Sequence, residues 1–167
     1  GRTRAILTGE RVALNILQRL SGVATLTRSF ADSAKGTNVK ILDTRKTTPG
    51  MRKMEKYAVT MGGGHNHRSN LSEMALIKEN HIAAAGSISK AVEMVRKASD
   101  VPVEVEVRSM DELKEALGAN VDRIMLDNWD TASMSTAVSF VNGRVPLEAS
   151  GNMTVERVKE VAATGVD

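Results

Sequence analysis

A parallel α/β fold preceded by a long helix is predicted by three features of the chain. Short apolar runs alternate with segments of helical period. Those runs are apolar almost throughout, as strands buried on both faces are. Residues 9–34 read as one uninterrupted helix, because Val12, Ile16, Leu20 and Val23 fall at helical spacing and Gly36 offers a stop.

The expected strands, in order, are Val39 to Leu42, Met74 to Ile77, Val101 to Val107, Ile124 to Leu126 and Val145 to Leu147. Helical patterns cover 51–61, 88–98, 110–117, 131–141 and 154–163. Ser109 with Glu112 suits a capping box and Asp130 an N-cap. Gly118, Gly143 and Gly165 stand where C-terminal glycines belong. Five strand–helix repeats without a linker or low-complexity tract indicate one domain. Periodicity leaves a closed barrel and an open doubly wound sheet both open. A dinucleotide site is disfavoured, since no Gly-x-Gly-x-x-Gly follows a strand.

Composition narrows the function classes. The 167 residues include no cysteine, which removes disulfide and thiolate chemistry and suits a reducing cytoplasm. Phe30, Tyr57, Trp129 and Phe140 are the only aromatic side chains, too few for base-stacking platforms, so nucleic acid is not expected as a partner. No apolar run reaches the roughly 18–20 residues of a membrane helix, and no export leader is visible. Nine methionines are expected to fill core volume that aromatics usually occupy. The net charge of +3 is small, but Arg45, Lys46, Arg52, Lys53 and Arg68 gather in or beside turns, a local field suited to a small anion.

The polar residues that end each apolar run locate the chemistry. They are Asp43-Thr44-Arg45-Lys46, Lys78-Glu79-Asn80-His81, Glu104 with Glu106, Asp127-Asn128, and Glu148-Ala149-Ser150-Gly151-Asn152. In parallel α/β folds the C-terminal strand ends share one face, and that face holds the site. Arg45 can grip a carboxylate or phosphate through two hydrogen bonds, with Lys46 beside it as a point charge. Gly62-Gly63-Gly64 lets backbone approach a ligand closely, with His67 and Arg68 presenting donors next to it. Lys78 closes an apolar strand and is expected at its mouth among acids or anions. Glu104 and Glu106 share a strand face opposite Val103, Val105 and Val107, and Asp127 can meet Glu106 at the mouth. Ser150-Gly151-Asn152 precedes a helix whose free N–H groups suit a phosphate.

Taken together these stretches resemble the quinolinate phosphoribosyltransferases. The resemblance is carried by Glu10 to Asn15 with Leu17 to Gly22, Asp43 to Gly50, Gly62 to Arg68, Leu76 to His81, Val103 to Val107, Ile124 to Asn128 and Leu147 to Asn152, in order and spacing. It implies a type II phosphoribosyltransferase fold, an incomplete TIM-like α/β barrel, with residues 1–167 as the C-terminal catalytic domain of a homodimer. It implies the reaction as well: quinolinate and phosphoribosyl pyrophosphate give nicotinate mononucleotide, pyrophosphate and carbon dioxide, with magnesium. Arg45, His67, Arg68 and Lys78 then hold the quinolinate carboxylates, Thr44 lies beside them, and Arg11 reaches the neighbouring subunit's site. Lys46, Lys78, Glu106, Asp127, Ser150 and Gly151 surround the phosphoribosyl pyrophosphate, Glu106 and Asp127 meeting its magnesium directly or through water. The family's smaller N-terminal domain is not in this chain. The chain also stops at Gly165-Val166-Asp167, where a further strand and phosphate-binding glycines are expected. Relatives acting on other pyridines, such as the ModD proteins associated with molybdenum transport, share the pattern, and a non-catalytic barrel fragment is the remaining alternative.

Overall fold

The computed structural model describes residues 1–167, which divide into two compact units: Gly1–Lys35 with Lys40–Ser69, and Gly36–Val39 with Asn70–Asp167. None of the helices is long and apolar enough to cross a membrane.

The first unit pairs α1 (Thr3–Ser33) with α2 (Arg52–Met61). Helix α1 begins six residues earlier than its apolar spacing indicates, running through Gly9, where a Cβ would meet nothing within 4 Å. An exposed helical glycine costs only about 1 kcal/mol, which 31 residues of helix absorb. The predicted strand at Val39 to Leu42 is not one: it survives as a single parallel bridge between Leu42 and His65. Its hydrogen bonds are His65 N to Ile41 O (2.8 Å) and Asp43 N to His65 O (3.1 Å).

Packing against α1 requires glycine at two positions of the glycine run. A Cβ on Gly62 would lie 2.4 Å from Ala24 O and 2.6 Å from Thr27 Cβ, and one on Gly64 2.8 Å from Thr27 Cγ2. Backbone cannot yield as a flexible side chain can, so the loop lies on α1 only without side chains there. Arg19 joins the helices from the other direction, donating through Nε (3.2 Å) and Nη2 (3.0 Å) to Glu55 Oε1. The Thr48 hydroxyl, and behind it Arg19, hold the Glu55 carboxyl below the usual carboxylate value of 4.5. A lowered folded value means the contribution is complete above pH 4.5 and fades as pH falls through the folded value. The stability deficit of Glu55→Gln relative to the parent should therefore be larger at neutral pH than at about pH 3, a difference that urea denaturation at both pH values measures.

The second unit is a parallel sheet in the order β1 (Ala75–Ile77), β2 (Val103–Val107), β3 (Arg123–Asp127), β4 (Leu147–Ser150). Between the strands run α3 (Glu79–Ala85) and α4 (Ile88–Ala98), α5 (Met110–Gly118) and α6 (Thr131–Val141), with α7 (Val155–Ala162) after β4. Each strand pairs with its successor. This stepwise order is that of a barrel wall and lacks the reversal that defines a doubly wound sheet.

The strand period of two sorts the sheet. Val103, Val105, Val107, Ile124, Leu126 and Leu147 turn to the core formed with Ile88, Leu113, Met134 and Val141. Glu104, Glu106, Arg123, Met125, Asp127, Glu148 and Ser150 occupy the alternate positions. Burying an apolar side chain contributes about 1.5–3 kcal/mol, so the core face dictates register and carries the charged face with it.

The helix ends mostly follow their sequence signals. Ser109 Oγ accepts from Glu112 N (3.2 Å) and Asp130 Oδ1 from Ser133 N (2.8 Å). The Glu112 carboxylate returns not to Ser109 but one residue earlier, to Arg108 N (2.6 Å). Gly118 does not end α5; it lies within the helix, and Asn120 takes the left-handed conformation (φ 55°) instead. Lys78 follows the end of β1 as expected and at once begins α3, where His81 Nδ1 accepts from Lys78 N (2.9 Å). The methionines do not form the core: only Met125 and Met134 are buried, because branched aliphatic side chains fill the helix–sheet layer.

Candidate active site

In the second unit the C-terminal strand ends bring together a cluster of opposite charges. Lys78, one residue past β1, pairs with Glu106 Oε2 on β2. Arg108, one residue past β2, continues the face of Glu104 and Glu106. Val107 is in register with Leu126, which brings Arg108 beside Asp127. Its guanidinium pairs with Glu79, lies 3.4 Å from Asp127 Oδ2 through Nε, and 3.8 Å from Glu106 Oε1 through Nη2. Glu79 first, and Asp127 after it, raise the proton affinity of Arg108. Lys78, Glu106 and Asp127 are thus assembled as the sequence predicts, but Glu106 and Asp127 meet through a cation the sequence reading passed over. The two-residue period that marked Glu104 and Glu106 would have found Arg108 had it been carried one step beyond the apolar run.

One layer deeper on the same face, Arg123 Nη1 lies 3.3 Å from Glu148 Oε2, and Glu104, fully buried, is in register with Arg123. Charged residues therefore fill five of the seven positions of β2, β3 and β4 that face away from the aliphatic core, Met125 and Ser150 being the others.

Ser150 follows in register with Asp127. Gly151 (φ 97°) and Asn152 (φ 48°) are both left-handed, and a Cβ on Gly151 would fall 2.2 Å from Asn128 Oδ1. Only glycine satisfies both conditions. Asn128 links the two loops: its Nδ2 donates to Asp127 Oδ1 (3.1 Å), and its Oδ1 accepts from Asn152 Nδ2 (3.1 Å). Arg157 of α7 fastens them from behind, donating to Trp129 O (2.8 Å) and Gly151 O (3.2 Å). Asn128 stands in the polar ending Asp127-Asn128, whereas Arg157 has no sequence signal, since its partners are backbone carbonyls up to 28 residues away.

In the first unit a buried ion pair organises the basic turns. Lys56 Nζ donates to Asp43 Oδ1 (2.5 Å) and His67 O (2.7 Å), the Lys56 and Asp43 side chains being 5% and 7% exposed. Asp43 Oδ1 also accepts from His67 N (2.9 Å), and the Asn66 amide, oriented by its neighbours so that its nitrogen faces the acceptors, donates to Asp43 Oδ2 (2.7 Å) and Lys56 O (3.0 Å). Arg52 is a clamp rather than a free cation: it donates to Thr47 Oγ1 (3.2 Å), Ser69 O (3.1 Å) and Arg45 O (3.2 Å). With its backbone held this way, Arg45 keeps a buried Nε–H that has no hydrogen-bond partner. His67 is buried and accepts from Arg68 N at Nδ1 (2.8 Å), which leaves Nε2 as the ring's donor nitrogen when neutral. Thr44 and Lys46 are exposed, the Thr44 hydroxyl accepting from Lys46 N (3.0 Å), and Arg11 is exposed on α1.

A parallel sheet wound strand by strand, with its charged side chains at the C-terminal strand ends, defines an α/β protein of barrel type. The family described as quinolinate phosphoribosyl transferase, C-terminal domain, matches residues 23–167, and the chain belongs to that family. A probable nicotinate-nucleotide pyrophosphorylase [carboxylating] of Synechocystis is 46% identical over 172 residues, covering 100% of this chain and 58% of the relative. Its counterpart in Bacillus subtilis is 45% identical, with coverage of 100% and 58%. The structure of the nicotinate-nucleotide pyrophosphorylase from Francisella tularensis superposes with a TM-score of 0.94 at 48% identity, over 99% of this chain and 59% of that one. The chain thus spans less than two thirds of the length of the relatives it matches.

Proposed function

We propose that the protein containing this chain transfers a phosphoribosyl group from phosphoribosyl pyrophosphate to quinolinate with loss of carbon dioxide, yielding nicotinate mononucleotide and pyrophosphate. The observation that carries the reading is the interlocked Lys78–Glu106–Arg108–Asp127 cluster at the ends of three successive strands. Family membership supports it, as do the activities for which the relatives are named.

Departure of pyrophosphate leaves positive charge on the ribose, which the Glu106 and Asp127 carboxylates stabilise. The pyridine nitrogen supplies the electron pair for the new bond to the sugar, so no protein nucleophile is needed. As the 2-carboxylate leaves as carbon dioxide, the electron pair of the broken bond stays on C2, stabilised by the adjacent cationic nitrogen, and takes up a proton from solvent. Positioning and electrostatics are the protein's contribution. Ser150 and Gly151, with two successive left-handed residues before α7, suit the ribose 5-phosphate. Lys46 contributes a mobile positive charge for the pyrophosphate.

Quinolinate carries two carboxylates, and Arg45, His67, Arg68 and Lys78 are the groups assigned to them. The buried, unpartnered Nε–H of Arg45 supports this, because such a donor costs about 1–3 kcal/mol until an acceptor reaches it. Magnesium prefers carboxylate and phosphate oxygens, which Glu106 and Asp127 offer. Since Lys78 and Arg108 already balance their charge, the fit is to an ion arriving on the pyrophosphate rather than a resident one. When bound, it would neutralise charge building on the leaving group. We assign the protein to the cytoplasm and to a homodimer in which Arg11, exposed on α1, reaches the neighbouring site.

The full-length protein, given quinolinate, phosphoribosyl pyrophosphate and magnesium, should release nicotinate mononucleotide and carbon dioxide. Arg45→Ala should weaken quinolinate binding roughly tenfold or more, the loss expected for a charge-assisted hydrogen bond. Turnover of nicotinate but not quinolinate would reassign the substrate, and calorimetric silence toward quinolinate would end the proposal.

A further inference from the structure

We infer that Arg108 is a positioning residue that sets the spacing of the Glu106 and Asp127 carboxylates, an inference that rests on the phosphoribosyl transfer proposed above. Each carboxylate has one close donor, and the Arg108 guanidinium lies 3.8 Å from the second oxygen of Glu106 and 3.4 Å from that of Asp127. Glu106 has Lys78 on Oε2 and Arg108 on Oε1; Asp127 has Asn128 on Oδ1 and Arg108 on Oδ2. The guanidinium is the group shared between them. Its donors form a rigid planar fork, so contact with one carboxylate constrains where the other must lie. Glu79 anchors the far side of the fork and steadies it from the start of α3.

Charge supports the same assignment. Glu79, Glu106 and Asp127 bring three negative charges against Lys78 and Arg108, so the cluster stands at −1 with Arg108 and −2 without it. Lys78 is paired with Glu106 and cannot also span to Asp127 as a fork does. Without Arg108 the two acids repel, and Asp127 keeps only its bond from Asn128. A charge aimed at a transition state acts only if it is already in place, and misplacement by about 1 Å can cost on the order of a hundredfold in rate. At 50% exposure the Arg108 side chain contributes little to folding, which separates this role from a structural one.

The test is steady-state kinetics of the full-length enzyme carrying Arg108→Ala, Arg108→Lys and Arg108→Gln, with thermal denaturation alongside. The alanine and glutamine variants should fall roughly tenfold to hundredfold in kcat at an unchanged KM for quinolinate and near-parent stability. Lysine should restore less than half of the lost rate, because an ammonium lacks the fork. Low millimolar guanidinium ion should partly restore Arg108→Ala and leave the parent unaffected. Parent kcat in Arg108→Ala, or full rescue by lysine, would overturn the positioning role while leaving phosphoribosyl transfer intact. If the parent itself makes no nicotinate mononucleotide, the functional reading fails first, and Arg108 falls with it. Should alanine prove unstable, Arg108→Gln, which keeps polarity and much of the length, decides by the same kcat comparison.

Discussion

Replacing Lys56 by methionine should destabilise the protein by about 3–5 kcal/mol, the cost of leaving a buried partner charge uncompensated. Asp43 is 7% exposed at its side chain and receives Lys56 Nζ, His67 N and the Asn66 amide. Methionine matches the stem of lysine in length, so packing is largely preserved and the loss is electrostatic. The double variant Asp43→Asn with Lys56→Met should regain much of that stability, since a neutral pair has no charge to strand. It should not regain quinolinate affinity in equal measure, because the ion pair also fixes the loop that carries His67 and Arg68. Urea denaturation of the parent, both single variants and the double variant, with quinolinate titrations of each, measures both effects. Unfolding of Lys56→Met at the parent's urea midpoint would remove the ion pair from the account of this unit.

Glu106→Gln should lower kcat for nicotinate mononucleotide formation by about 10²–10³, the range found when one preorganised electrostatic group is removed. The substitution keeps shape and polarity, so little of the loss can come from packing. Folding should change by far less, because Lys78, 48% exposed at its side chain, remains solvated when its partner loses charge. Single-turnover measurement with saturating substrates isolates the chemical step, and denaturation of the same variant supplies the stability term. A variant that turns over at the parent's rate would take Glu106 out of the chemistry and leave it a buried counter-ion to Lys78.

These two residues differ in how far they can be read from the sequence. Glu106 was legible: it alternates with Val103, Val105 and Val107, and a carboxylate at a strand end within a charged series has few bland explanations. Lys56 was not. It lies in an amphipathic helix where lysine ordinarily faces water, and its partners are 13 and 11 residues distant. Arg108 lay between these cases, on the right face but one residue past the apolar run. The glycine run is conspicuous in the sequence, but its packing on Ala24 and Thr27 of α1 is tertiary and leaves no local signal.

Local patterns suffice for three of the second unit's four strands (β4, expected at Val145 to Leu147, runs over Leu147–Ser150), most of its helices, the sorting of aliphatic and charged faces, and the family. Those depend on periodicity and local end signals, which act over a few residues. Long-range contacts alone settle that the sheet is wound strand by strand, that Val39 to Leu42 contributes one bridge, and that Arg108 stands between Glu106 and Asp127. Strand order and ion pairing join residues far apart in the chain, and their energies depend on distances and burial that no local pattern records.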